Sequence, residues 1–182
     1  MSKLYLPPGY EEPDENKQAK TMYATYGAAV YFSSCLEYGL INVLATAEVL
    51  KARKASKVIA DDPWERRVQD KKLTMGTLIT QVKNGGHLSA AAGLQKELYD
   101  ALEVRNFLAH HFWRERSDEA MSVRGQAKVI AELEGNRQMF DKANKRVDAE
   151  VMGPMMVKMG ITPDMQSAMY NQMLREAKEM HG

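Results

Sequence analysis

A chain of 182 residues can bury a self-sufficient core, so neither a disulfide nor a metal staple is needed to hold it. Its 25 basic and 24 acidic side chains nearly cancel, which excludes a polyanion binder driven by overall charge and confines any nucleic-acid contact to a local patch. The single cysteine, Cys35, excludes an intramolecular disulfide framework and fits a reducing compartment. No basic segment followed by an apolar run opens the chain, so no signal peptide is read there, and the cytoplasm is the expected location.

Residues 1–16 carry Pro7, Pro8, Gly9 and Pro13 among acidic side chains and read as an extended or disordered lead-in. From Lys17 to near Ala55, Tyr26, Val30, Ser33, Leu40, Ile41, Leu44 and Ala47 mark the apolar stripe of a long helix. Between Thr21 and Ala47 the only charge is Glu37. A carboxylate in mid-span costs about 2.5–3.5 kcal/mol on insertion scales, and the stretch is rich in Ser, Thr, Tyr and Gly, so it reads as a helix buried in protein and not in lipid. A connector from Ser56 to Lys72 follows, in which Pro63 can open a short helical turn. A short helix from Thr74 to Lys83 is stopped by Asn84-Gly85-Gly86.

Ser89 is the expected cap of the next long helix, running to Glu115. Ser117 or Ser122 caps a further helix carrying Ile130, Leu133, Phe140, Val147 and Val151, which Gly153-Pro154 should break. Thr162-Pro163 starts a last helix reaching Met180, with Met165, Met169 and Met173 on one face. That face is expected to pack on the bundle or on a second protomer; a less favoured role is docking an antitoxin-like protein partner. Short loops between long helices predict antiparallel neighbours. The expectation is therefore an all-α, up-and-down helical bundle over 17–152, with a Met-rich C-terminal helical extension over 153–182.

The chemistry-bearing stretch is Arg105-Asn106-Phe107-Leu108-Ala109-His110. Burying a cation, an amide and an imidazole without partners costs several kcal/mol, so their place in an apolar helix needs a reason. At 100° per residue, with Leu102 at zero, Arg105 falls at about −60°, Asn106 at about +40° and His110 at about +80°. All three are expected to point to the buried side, with His111 pointing away. Glu37, alone in its apolar stripe, is the natural partner of Arg105 and would orient its guanidinium. Arg114, Arg116 and Lys96 read first as a solvated face and second as a phosphate track.

Arg105-Asn106-x-x-x-His110 in the third long helix of a bundle closely resembles the Arg-x4-6-His motif of HEPN-domain proteins, where Asn commonly follows the Arg. The segment Tyr31 to Tyr38, with its embedded Glu37, also looks like that superfamily's first long helix. The resemblance implies a HEPN-like bundle that dimerises with motif helices facing each other, and in many members a metal-independent endoribonuclease acting as a toxin or a stress or defence effector. Other members are non-catalytic assembly or nucleotide-binding modules. In one toxin subfamily a tyrosine two residues after the His is modified by a partner enzyme; here that residue is Phe112, which has no hydroxyl to modify.

The residue types suit cleavage of RNA. Attack by a 2′-hydroxyl needs a base, an acid for the departing 5′-oxygen and positive charge at the phosphorane. An imidazole serves either proton role, a guanidinium matches phosphate oxygens, and an amide positions. One chain supplies one motif imidazole, so a homodimer supplies the base and the acid together. The assigned catalytic set is Arg105, Asn106, His110 and Glu37. No cofactor is expected, and His87, His110, His111, His181 and Cys35 form no metal-ligand spacing. Cys35 reads as a small buried apolar residue. The rival expectation is a non-catalytic dimerisation module, or a nucleotide-binding component of a two-protein system, held together by the same polar trio.

Overall fold

The computed structural model describes residues 17–70 and 72–181; the lead-in expected at 1–16 lies outside the described residues. Among the described residues all regular structure is helical. The elements are α1 (Lys17–Lys54), α2 (Pro63–Gln69), α3 (Met75–Asn84), α4 (Leu94–His110), the single turns α5 (Phe112–Glu115) and α6 (Ser117–Ala120), α7 (Val123–Arg146), a π-helical turn (Val147–Met152), α8 (Gly153–Lys158) and α9 (Pro163–His181).

Local chemistry sets most of the starts. The Asp62 carboxylate accepts from the Trp64 and Glu65 amides, and Pro63 stands at the first helical position of α2. Thr74 and Thr77 cap α3 reciprocally. Ser122, not Ser117, caps α7 by accepting from the Gly125 amide at 3.1 Å.

Side-chain contacts give the helix directions. Gln18 donates to the Val123 carbonyl at 2.8 Å, the Arg137 guanidinium lies 5.0 Å from the Phe32 ring centre, and Arg53 donates to the Met159 carbonyl at 3.1 Å. α7 and its continuation therefore run parallel to α1. α4 runs against α1, because Glu37 meets Arg105 whereas Tyr26, earlier in α1, meets Leu108 and Phe112. α2 leads the chain back from the level of Val49 to that of Glu37, and α3 climbs again from there towards Lys158. The order is the up-and-down bundle expected from the short loops, and an odd number of strokes leaves the first and last parallel.

Leu36, Leu40 and Val43 of α1, Leu78, Ile79 and Val82 of α3, Leu94 and Leu98 of α4, and Leu133 and Phe140 of α7 form the core. α1 is buried on more than the one expected stripe because α2, α3, α4 and α7 all pack on it. Val30, placed on that stripe, is instead exposed, and Cys35 is half-buried. By length and composition α1 could cross a membrane, but half of its most apolar window is buried in the bundle. That is compatible with the core helix of a soluble protein.

Three helix boundaries differ from expectation. α4 ends at His110, not Glu115, with the turn α5 following His111. Ser89 does not cap α4; its hydroxyl donates to the Gly86 carbonyl within a run of turns, and α4 begins only after Gly93 at φ +76°. Gly153-Pro154 does not break the helix. The Gly153 amide reaches back five residues to the Asp148 carbonyl, and this wider turn accommodates a proline that would otherwise collide with the preceding turn. The helix ends at Gly160, φ +79°, where the Ile161 amide bonds back to the Met156 carbonyl. α9 then departs from the body: its described side chains, Pro163 to Met180, are all exposed. Of the two arrangements expected for its methionine face, packing on the bundle is not seen among the described residues.

Candidate functional site

The buried stripe of α4 consists of Leu94, Leu98, Ala101 and Leu108, and Phe112 continues it in α5. Successive steps are four, three, seven and four residues, and Arg105 stands in the seven-residue gap, at the position where an apolar residue would complete the pattern. Its side chain is 32% exposed and that of Glu37 26%. Arg105 Nε donates to Glu37 Oε1 at 3.1 Å, the pairing expected from the sequence. Arg105 Nη1 donates to Asn106 Oδ1 at 3.3 Å. The carboxylate thus takes the Nε–H of the guanidinium, the amide touches Nη1, and Nη2 is left for a ligand.

Asn106 and His110 are not on the buried side; both are exposed. The stripe centres on the line from Leu94 through Arg105 to Phe112, not on Leu102. Relative to that line Asn106 and His110 lie roughly a third to nearly half a turn round the helix. They remain one turn apart on the same exposed flank, where i and i+4 side chains are neighbours. Among the described residues His110 makes no side-chain hydrogen bond, and its ring centre lies 6.3 Å from that of His111. His111, also exposed, is the residue at which α4 ends, with φ −127° and ψ −27°. The Tyr26 hydroxyl donates to the Leu108 carbonyl at 3.0 Å, satisfying a main-chain acceptor of that last turn. Tyr26 also packs on Phe112 and Trp113, so the end of α4 is anchored to α1 by aromatic rings.

The basic residues beyond the motif are committed elsewhere. Arg116 makes a bidentate pair with Glu132 at 2.8 and 2.9 Å and lies 5.2 Å from the Phe107 ring centre. Arg114 contacts His111 Nδ1 at 2.9 Å, and Lys96 pairs with Asp100 at 2.6 Å. They form a paired surface rather than an open phosphate track.

Sequence reasoning missed what lies on the other side of Glu37. A cleft of about 180 Å³ between α1, α2 and the start of α3 is lined by Ser34, Glu37, Tyr38, Ile41, Arg67, Val68, Asp70, Leu73 and Leu78. The half-exposed Tyr38 ring stacks on Trp64 at 6.4 Å and 23°. Tyr38 directly follows Glu37 and Trp64 directly follows Pro63, but nothing in their spacing shows that α2 folds back onto α1. A larger depression of about 610 Å³ lies on the outer side of α2 among Asp61, Asp62, Glu65 and Arg66, and Arg105 does not line it.

No family model, curated protein or solved structure matches the chain. Its chemistry is read from geometry: an oriented guanidinium with one edge open, an amide beside it and an unpaired imidazole one turn along. Among the described residues no group of three or more His, Cys, Asp or Glu side chains is placed to hold a metal ion.

Proposed function

We propose that this chain is a cytoplasmic, HEPN-like, metal-independent endoribonuclease that works as a homodimer, in the manner of a toxin or a stress or defence effector. The observation that carries the reading is the 3.1 Å contact between Glu37 and Arg105, which turns a guanidinium in an apolar stripe towards an amide and solvent. A carboxylate that fixes one edge of an arginine leaves a preorganised cation for a phosphate oxygen.

In this reading Arg105 holds the scissile phosphate and offsets the charge of the phosphorane, and Asn106 positions a phosphate oxygen. The 2′-oxygen attacks phosphorus, its proton passes to the His110 imidazole of one protomer, and the P–O5′ bond breaks. The His110 imidazolium of the partner gives its proton to the departing 5′-oxygen. The products are a 2′,3′-cyclic phosphate and a 5′-hydroxyl. Because each protomer brings one His110, the reaction requires the dimer.

One observation favours a second reading, a non-catalytic interaction module. Glu37–Arg105 is also a tie between α1 and α4, and such a tie has structural value without chemistry. Incubating purified protein with RNA in chelator, beside Arg105→Ala and His110→Ala, separates the two. The ribonuclease reading expects cyclic-phosphate-ended fragments from the wild type alone, with all three proteins sedimenting as dimers. Intact RNA with a dimeric wild type, or dissociation of the dimer by His110→Ala, supports the interaction module instead.

A further inference from the structure

We propose that the cleft beside Glu37 is a nucleobase pocket, seating one unstacked base of a single-stranded RNA next to the phosphate held by Arg105. The inference rests on the ribonuclease reading for its substrate class and extends it from the RNA backbone to the base.

The cleft has the make-up of a site for a small planar heteroaromatic. Its floor is apolar, with Ile41 and Leu78 buried, and its rim is polar at Ser34, Glu37 and Asp70. At about 180 Å³ it is smaller than the ~300–1,000 Å³ of sites for drug-sized ligands, which suits a base more than a whole nucleotide. Tyr38 lines it with a ring backed by Trp64, and both rings are more than 40% exposed. An exposed, mutually stacked aromatic pair is the surface on which proteins stack unpaired bases. The pocket shares Glu37 with the Arg105 contact, so base and phosphate positions adjoin.

The rim offers acceptors at Glu37, Asp70 and Ser34, and donors at Arg67 and the Tyr38 hydroxyl. Glu37 uses Oε1 for Arg105, and Asp70 uses Oδ1 for the Lys72 amide at 3.0 Å, so each carboxylate keeps its second oxygen. The Ser34 hydroxyl donates to the Val30 carbonyl, leaving its lone pairs. Arg67, the cation on the rim, gives its Nη1 to the Pro63 carbonyl at 2.9 Å and to Glu48 at 2.8 Å and keeps Nε and Nη2 as donors. The free carboxylate oxygens of Glu37 and Asp70, which only a donor can satisfy, favour a base with an exocyclic amino group, adenine, cytosine or guanine. Uracil, whose pairing edge sets one N–H between two carbonyls, is disfavoured.

The test is fluorescence anisotropy with 2′-O-methyl hexamers of A, C and U, which bind but lack the attacking hydroxyl. It is run on the wild type, Tyr38→Ala and Asp70→Asn, each checked for helicity. Expected are about ten-fold tighter binding of the A and C hexamers than of U, and about a ten-fold loss for A with Tyr38→Ala, from base–aromatic stacking. Asp70→Asn, which introduces a donor at constant shape, narrows the difference between A and U. Binding that is equal for A and U, or unmoved by both substitutions, overturns the pocket. Cleavage of unmodified RNA is scored separately. Tyr38-dependent binding without cleavage leaves the pocket standing and removes the ribonuclease reading. Cleavage with the same rate and base preference in all three proteins does the reverse.

Discussion

Arg105 occupies a place where leucine would complete the helix face, and its neighbours decide what that costs. A half-exposed pair such as Glu37–Arg105 is screened by solvent, so Arg105→Ala should lower stability by only about 1 kcal/mol in urea denaturation. His110 is exposed and makes no side-chain hydrogen bond among the described residues, so His110→Ala should leave the urea midpoint within about 0.5 kcal/mol of wild type while abolishing cleavage. A large loss of stability in that variant would mark His110 as structural. His87 behaves differently. Burial, aided by the charge of Lys158, pushes its imidazole below the ordinary histidine value of 6.5. The folded state therefore prefers neutral His87, and its contribution is complete above pH 6.5 and lost as the pH falls through the folded-state value. The melting temperature should decline between neutrality and mildly acidic pH, and His87→Gln should flatten that part of the profile.

At the scale of elements, the close approach of α1 and α7 is controlled by Gly39. A Cβ placed there would lie 2.8 Å from Asn144 Oδ1, an atom that is buried and lacks a hydrogen-bond partner. Gly39→Ala forces the Asn144 amide to shift, but it also gains roughly 1 kcal/mol of helix propensity, so its net cost should stay below about 1 kcal/mol in urea denaturation. Gly27, also in α1, has open space around it, and its alanine variant serves as the control. Helix content and order were legible from spacing, because burial selects apolar side chains at helical intervals. Helix ends were less so. Ser89 has the right chemistry for a cap, but the turns from Gly86 to Gly93 use its hydroxyl elsewhere. Pro154 has the right chemistry for a break, but a single wide turn absorbs it.

At the scale of the molecule, carboxylate pairs join elements that are distant in sequence. Glu97 of α4 takes Lys142 and Arg146 of α7 at 3.0 and 3.1 Å, and Glu48 of α1 takes Arg66 and Arg67 of α2 at 2.6 and 2.8 Å. Hydrogen bonds from these cations hold both carboxyls below the usual carboxylate range. Lowered values contribute stability that is present above the unfolded-state range and lost as acid protonates the folded carboxylates. Acid unfolding should therefore steepen below about pH 4.5, and 1 M salt should reduce the contribution of these partly exposed pairs. Deleting 162–182 should leave the melting temperature of the body unchanged, since α9 buries none of its described side chains against it. A lowered value, or a shift from dimer to monomer in sedimentation, would show that α9 packs in solution.

The sequence by itself determined the all-α class, the order of the long helices and the partnership of Glu37 with Arg105. Helical periodicity and the cost of an unpaired charge in an apolar stripe are local rules that a single chain obeys residue by residue. Only the tertiary structure decided which arc of α4 faces inward. That arc depends on where α1, α3 and α7 press against it, and their pressure left Arg105 half-buried but turned Asn106 and His110 to solvent. It also decided that α2 folds back to set Trp64 on Tyr38 and opens a cleft beside Glu37. That juxtaposition spans residues far apart in the chain, and no spacing rule encodes it.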